Sequence, residues 1–70
     1  MVANYNKLMG KIVENGYTLQ RFAEAMGMSA QALRNKMHKA EYEFTISESV
    51  RAMKLLNLTT EEYLVIFINF

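Results

Sequence analysis

Apolar residues return at helical spacing in one segment of this chain after another. Tyr5, Leu8, Met9 and Ile12 fall at i, i+3, i+4 and i+7, which predicts an amphipathic helix over about 4–15. Asn4 suits its start and Asn15-Gly16 its left-handed stop. Gly10 inside that run costs about 1 kcal/mol relative to Ala. Leu19, Phe22, Ala23 and Met26 repeat the spacing behind Thr18 as N-cap, and Gly27 ends the second helix because glycine accepts a positive φ. Ser29 then caps a third helix. Tyr17 with Phe22, and Met28 with Leu33, hold the N′ and N4 positions of two hydrophobic staples.

A polar connector over about 38–44 leads to Thr45-Ile46-Ser47-Glu48, a capping box. The fourth helix it opens is expected to bury Ile46, Val50, Met53 and Leu56, with Asn57 at its end. Thr59-Thr60-Glu61-Glu62 is a second capping box, with Leu58 and Tyr63 as a third staple, and opens a short fifth helix. The tail from Leu64 to Phe70 suits a strand as readily as a helix, since it is β-branched and aromatic. The fold class expected is all-α, a compact bundle of four to five short helices with a C-terminal tail helix or short strand. The chain forms a single domain, 1–70.

Composition narrows the class. Seventy residues, 51% of them apolar, with no Pro and no Cys, describe one small folded domain with neither disulfides nor thiolate metal sites. The N-terminus shows no secretory signal, and the run from Tyr63 to Ile68 is too short to span a bilayer. A cytoplasmic protein is expected. The net charge of +1 hides a split. Residues 1–39 set Lys7, Lys11, Arg21, Arg34, Lys36 and Lys39 against Glu14 and Glu24, a balance of +4. Residues 40–70 set Arg51 and Lys54 against Glu41, Glu43, Glu48, Glu61 and Glu62, a balance of −3. A basic half suits a module that meets a polyanion, although a small chain shows such fluctuations by itself.

The stretch 18–39 carries the chemistry. Two capped, stapled helices separated by one glycine form a helix-turn-helix, whose second helix lies in the DNA major groove. On a wheel of about 100° per residue, Arg34, Asn35 and His38 lie within about 60° of Gln31. Ala30, Leu33 and Met37 cluster opposite. Arg is suited to guanine O6 and N7, Asn or Gln to adenine N6 and N7, and Ala30 to a thymine methyl. The base-reading set is therefore Gln31, Arg34, Asn35, His38 and Ala30. The phosphate set is Thr18, Gln20, Ser29, Lys36 and Lys39, where the two lysines serve equally well as surface solvation. Any amphipathic surface helix also shows a polar face; the Gly27 turn and paired staples tip the balance toward DNA.

Other chemistry finds little support. His38 is the one histidine and the chain contains no Asp, so a Ser-His-Asp triad and a His-rich metal site are excluded. Glu41/Glu43 and Glu61/Glu62 have polar neighbours and suit surface and capping roles. The six Met residues sit mostly at core spacing. No enzymatic activity, cofactor, metal or small-molecule substrate is expected.

Phe22-Ala23, Gly27-Met28-Ser29 and Leu33 resemble the helix-turn-helix of the lambda-repressor/Cro-like superfamily. Leu33-Arg34-Asn35-Lys36-Met37, Glu43-Phe44-Thr45-Ile46-Ser47-Glu48, Leu55-Leu56-Asn57-Leu58 and the closing Glu61-Glu62 with Ile66-Phe67 look like small phage repressors and Cro-type proteins. The resemblance implies a repressor of phage or mobile-element origin that binds a double-stranded DNA operator, usually as a two-fold dimer. It matches Ser29, Ala30, Gln31, Arg34 and Asn35 to base- and phosphate-reading slots, and Thr18 to a phosphate contact. Where the family often carries Gln after the capping Thr, this chain has Leu19. Gln20 either substitutes from a neighbouring angle or the contact is missing. These 70 residues hold no cleavage or oligomerisation domain, which points to a Cro-like or auxiliary regulator.

Val65, Phe67, Ile68 and Phe70 are the expected dimer interface, with core closure as the alternative for some of them. The rival reading from another class is a protein-interaction module that grips another repressor as an antirepressor or modulator.

Overall fold

A computed structural model describes residues 2–39 and 42–68. Five α-helices follow in order: α1 (Tyr5–Glu14), α2 (Leu19–Met26), α3 (Ala30–His38), α4 (Ile46–Leu55) and α5 (Thr60–Tyr63). A π-helical segment, Leu64–Ile68, continues α5 directly, so the tail is helical rather than extended. There is no strand among the described residues, and the architecture is an all-α bundle of short helices. No helix among them is long and apolar enough to cross a membrane.

Three of the links between helices share one construction. Gly16, Gly27 and Asn57 take left-handed φ values of 80°, 79° and 52°. In each case the next residue is apolar, and its N–H reaches back to a carbonyl five residues earlier. The bonds are Tyr17 to Ile12 (3.1 Å), Met28 to Ala23 (3.0 Å) and Leu58 to Met53 (3.0 Å). These are Schellman closures, which satisfy carbonyls that a helix end would otherwise leave unpaired. The residue after each apolar one is Thr18, Ser29 or Thr59, whose hydroxyl accepts the N–H of the third residue of the next helix. One three-residue phrase therefore stops a helix, seats a side chain and starts another. Tyr17 packs edge-on against Phe22 at 5.5 Å, as the staple requires.

The core runs from Leu8 and Ile12 of α1 through Phe22 and Met26 of α2 to Leu33 and Met37 of α3. Phe67 is 1% exposed and meets Phe44 edge-on at 5.5 Å, closing the bundle from below. Phe67 is thus part of the core, the alternative expected for some of the tail's apolar residues, and not an exposed interface side chain. Of the other interface candidates, Val65 is half-buried, Ile68 is 40% exposed, and Phe70 lies outside the described residues. The Asn4 N–H donates to the Ile66 carbonyl at 2.7 Å, tying the chain's two ends together. The Asn15 amide donates to the Leu56 carbonyl at 3.2 Å and joins the ends of α1 and α4.

The expected burial of α4 is corrected in part. Leu56 is buried and Met53 half-buried, but Ile46 is 71% exposed and Val50 is also on the surface. The buried face is instead Ser49, Ala52 and Leu56, at i, i+3 and i+7. Ser49 explains the rotation. Its hydroxyl donates to the Ile46 carbonyl (2.7 Å) and its oxygen accepts from the Tyr63 hydroxyl (2.7 Å). A satisfied buried hydroxyl and a small Ala52 let α4 approach closely, which turns Ile46 and Val50 outward.

Candidate nucleic-acid interface

Helices α2 and α3, joined by Gly27, Met28 and Ser29, pack against each other and present their N-termini outward. Thr18 is exposed, and its hydroxyl oxygen accepts the Arg21 N–H at 3.1 Å. Ser29 is exposed, and its oxygen accepts the Ala32 N–H at 3.1 Å. In both caps the hydroxyl hydrogen stays available as a donor to an anion, beside the positive end of a helix of eight or nine residues. Gln20 is exposed one position into α2 from the Leu19 start, while Leu19 itself is half-buried against the core.

Buried Leu33 and Met37 fix the inner face of α3 and so decide what faces solvent. Gln31 and Arg34 are exposed, and Arg34 forms no ion pair among the described residues. Asn35 is half-buried, and its Oδ1 accepts from Gln31 Nε2 at 3.1 Å. Ala30 is half-buried and packs on the core, so only part of its methyl remains on the outer surface. His38, in the last turn, lies against the Tyr5 ring of α1 with centroids 4.3 Å apart. Gln31, Arg34 and the partly covered Asn35 are therefore the open part of the face, and His38 is held at its edge.

The two lysines diverge. The Lys36 ammonium donates to the Glu43 carbonyl at 3.1 Å and pairs with Glu48 at 3.1 Å. It pins the C-terminal half of α3 to the connector and to the start of α4, a position that competes with any phosphate contact. Burial works against the Glu48 carboxylate but is outweighed by the Thr45 backbone N–H and by Lys36, which hold its pKa below the ordinary carboxylate value. Lys39 is exposed, with its ammonium 5.8 Å from the centre of the Tyr42 ring.

Arg51 escaped notice in the sequence. From α4 its guanidinium donates to the Met26 carbonyl at 3.1 Å, capping α2 beside Gly27. No local spacing signals a bond between residues 25 positions apart. The same is true of Lys36 and Glu48, whose partnership needs the connector to fold back.

No curated protein matches this chain. One family model does match it, over residues 1–69, with the description "Protein of unknown function (DUF739)".

Proposed function

The chain belongs to the DUF739 family, and from the face it presents we propose that it is a sequence-specific DNA-binding regulator of the lambda-repressor/Cro-like kind. One observation carries the reading. A glycine-turned helix pair exposes two hydroxyl-capped N-termini while Gln31 and Arg34 stand outward from a helix anchored by Leu33 and Met37. Thr18, Ser29, Gln20 and Lys39 would hold phosphates, which fix register without reading sequence. Gln31 and Arg34 would read base edges, with Arg34 on a guanine, and Asn35 stands beside them on the same face. The protein would act in the cytoplasm as a homodimer on an operator of phage or mobile-element type, excluding polymerase by occupancy. No catalysis is proposed.

Selection from a random duplex pool, at near-physiological salt, tests this directly. The expected product is a two-fold-symmetric motif with half-sites about one helical turn apart. Arg34→Ala should then cost about 1–3 kcal/mol on that motif and relax one position. Absence of any enriched motif, with binding confined to low salt, overturns the proposal.

A second reading rests on α4. Ile46 and Val50 form an exposed apolar pair beside Ser47, Arg51 and Lys54, and among the described residues no acidic side chain lines the shallow groove between them. Such a surface suits a module that grips another regulator, and retention of DNA binding by Ile46→Lys would separate the two roles.

A further inference from the structure

Two amides of α3 are bonded to each other, and the direction of that bond constrains what each can still do. Gln31 Nε2 donates to Asn35 Oδ1 across 3.1 Å, one helical turn apart. A primary amide has two N–H donors and one carbonyl acceptor. Gln31, having given one N–H to Asn35, keeps the other N–H together with its Oε1. Oε1 and the N–H cis to it form the edge that matches adenine N7 and N6–H₂ in the major groove, and donation of the trans N–H to Asn35 leaves that edge open. Asn35 has one lone pair of its oxygen engaged, which ties the orientation of its amide to that of Gln31.

Burial separates the pair in the same sense. Gln31 is exposed, whereas Asn35 is half-buried. A shorter side chain, set deeper and already bonded, is placed to hold its neighbour. An exposed Gln side chain otherwise spends its time among many rotamers, and ordering it on binding costs conformational entropy. A bond that orders it beforehand removes part of that cost.

We propose that Asn35 is a positioning residue for Gln31, so that α3 reads one adenine through a braced amide rather than two bases through two independent amides. The inference rests on the DNA-binding reading above and sharpens it. It places an A·T pair in each half-site, next to the pair read by Arg34, and takes Asn35 out of direct readout.

The test is a base-by-base affinity scan of the selected motif with wild type, Gln31→Ala, Asn35→Leu, Asn35→Asp and the Gln31→Ala/Asn35→Leu pair. Circular dichroism confirms equal helix content among them. Wild type should prefer adenine at one position by about 5- to 150-fold. Asn35→Leu should erase most of that preference at the same position that Gln31→Ala relaxes, and the double variant should lose no more. Asn35→Asp keeps an acceptor oxygen for Gln31. It should retain the adenine preference while binding every sequence more weakly, through repulsion of its carboxylate by phosphates. Relaxation at a different base pair in Asn35→Leu would make Asn35 a reader in its own right and overturn the proposal. An unchanged scan would make the bond incidental and overturn it equally. A wild-type protein that enriches no motif defeats the DNA-binding reading itself, a result recognisably different from both.

Discussion

Gly27 and Asn57 meet the same backbone demand with different chemistry, and substitution should tell them apart. At φ 79° a Cβ on Gly27 is strained and would also sit 3.3 Å from the Arg51 guanidinium that caps α2. Gly27→Ala is expected to cost about 1 kcal/mol or more in urea unfolding. At Asn57, φ 52°, the effects of Gly oppose each other. Relief of the left-handed conformation is offset by the greater freedom of an unfolded glycine, so Asn57→Gly should move stability by less than about 0.5 kcal/mol. A second residue-scale prediction concerns Ser49. Removing its hydroxyl leaves the Tyr63 hydroxyl without its 2.7 Å partner, and Ser49→Ala should cost about 1–2 kcal/mol. Tyr63→Phe added to it should cost little more. Full additivity of the two would show that the hydroxyls are not coupled.

Helix boundaries were readable because caps and stops are local. Thr18, Ser29, Thr45 and Thr59 each bond a backbone N–H within three residues, so the code lies inside a four-residue window. The face of α4 was not readable. Periodicity counts Ile46 and Val50 as core because it weighs side chains one by one. The orientation of this helix is set by a serine that pairs with a tyrosine fourteen residues away. Phe67 takes the core-closing alternative that the tail's apolar residues left open, and its edge-on partner Phe44 lies in the connector, out of reach of any local spacing. The rotation of α4 makes a measurable claim. Ile46→Gln should change thermal stability by no more than about 0.5 kcal/mol, whereas Leu56→Ala should cost about 2–5 kcal/mol. A large loss in Ile46→Gln would return that residue to the core.

Across the whole molecule, ion pairs do the work that no single helix can. Lys36 and Glu48 bind the end of α3 to the start of α4, and Lys11 bridges Glu14 on its own helix to Glu62 on α5. The face of α3 was legible as a polar stripe, but its support by Lys36 and Glu48 was not, because that pair joins two elements twelve positions apart. These contacts set the pH response. Lys11 holds the Glu62 carboxylate below its ordinary value of 4.5, aided by the Thr59 N–H; Glu48 is lowered likewise despite burial. A carboxylate with a depressed folded pKa contributes stability above its unfolded value, and that contribution disappears as pH falls through the folded one. Lys11 is shifted the other way, above 10.5, by hydrogen bonds from its ammonium to Glu62 and Glu14. Its contribution is complete below 10.5 and is lost as pH rises through the folded value. The melting temperature should therefore be level through neutral pH and fall on the acid side beginning near 4.5. In Glu48→Gln/Glu62→Gln the plateau should sit lower and the acid limb should flatten. An acid limb as steep as wild type in that variant would assign acid unfolding to other carboxylates.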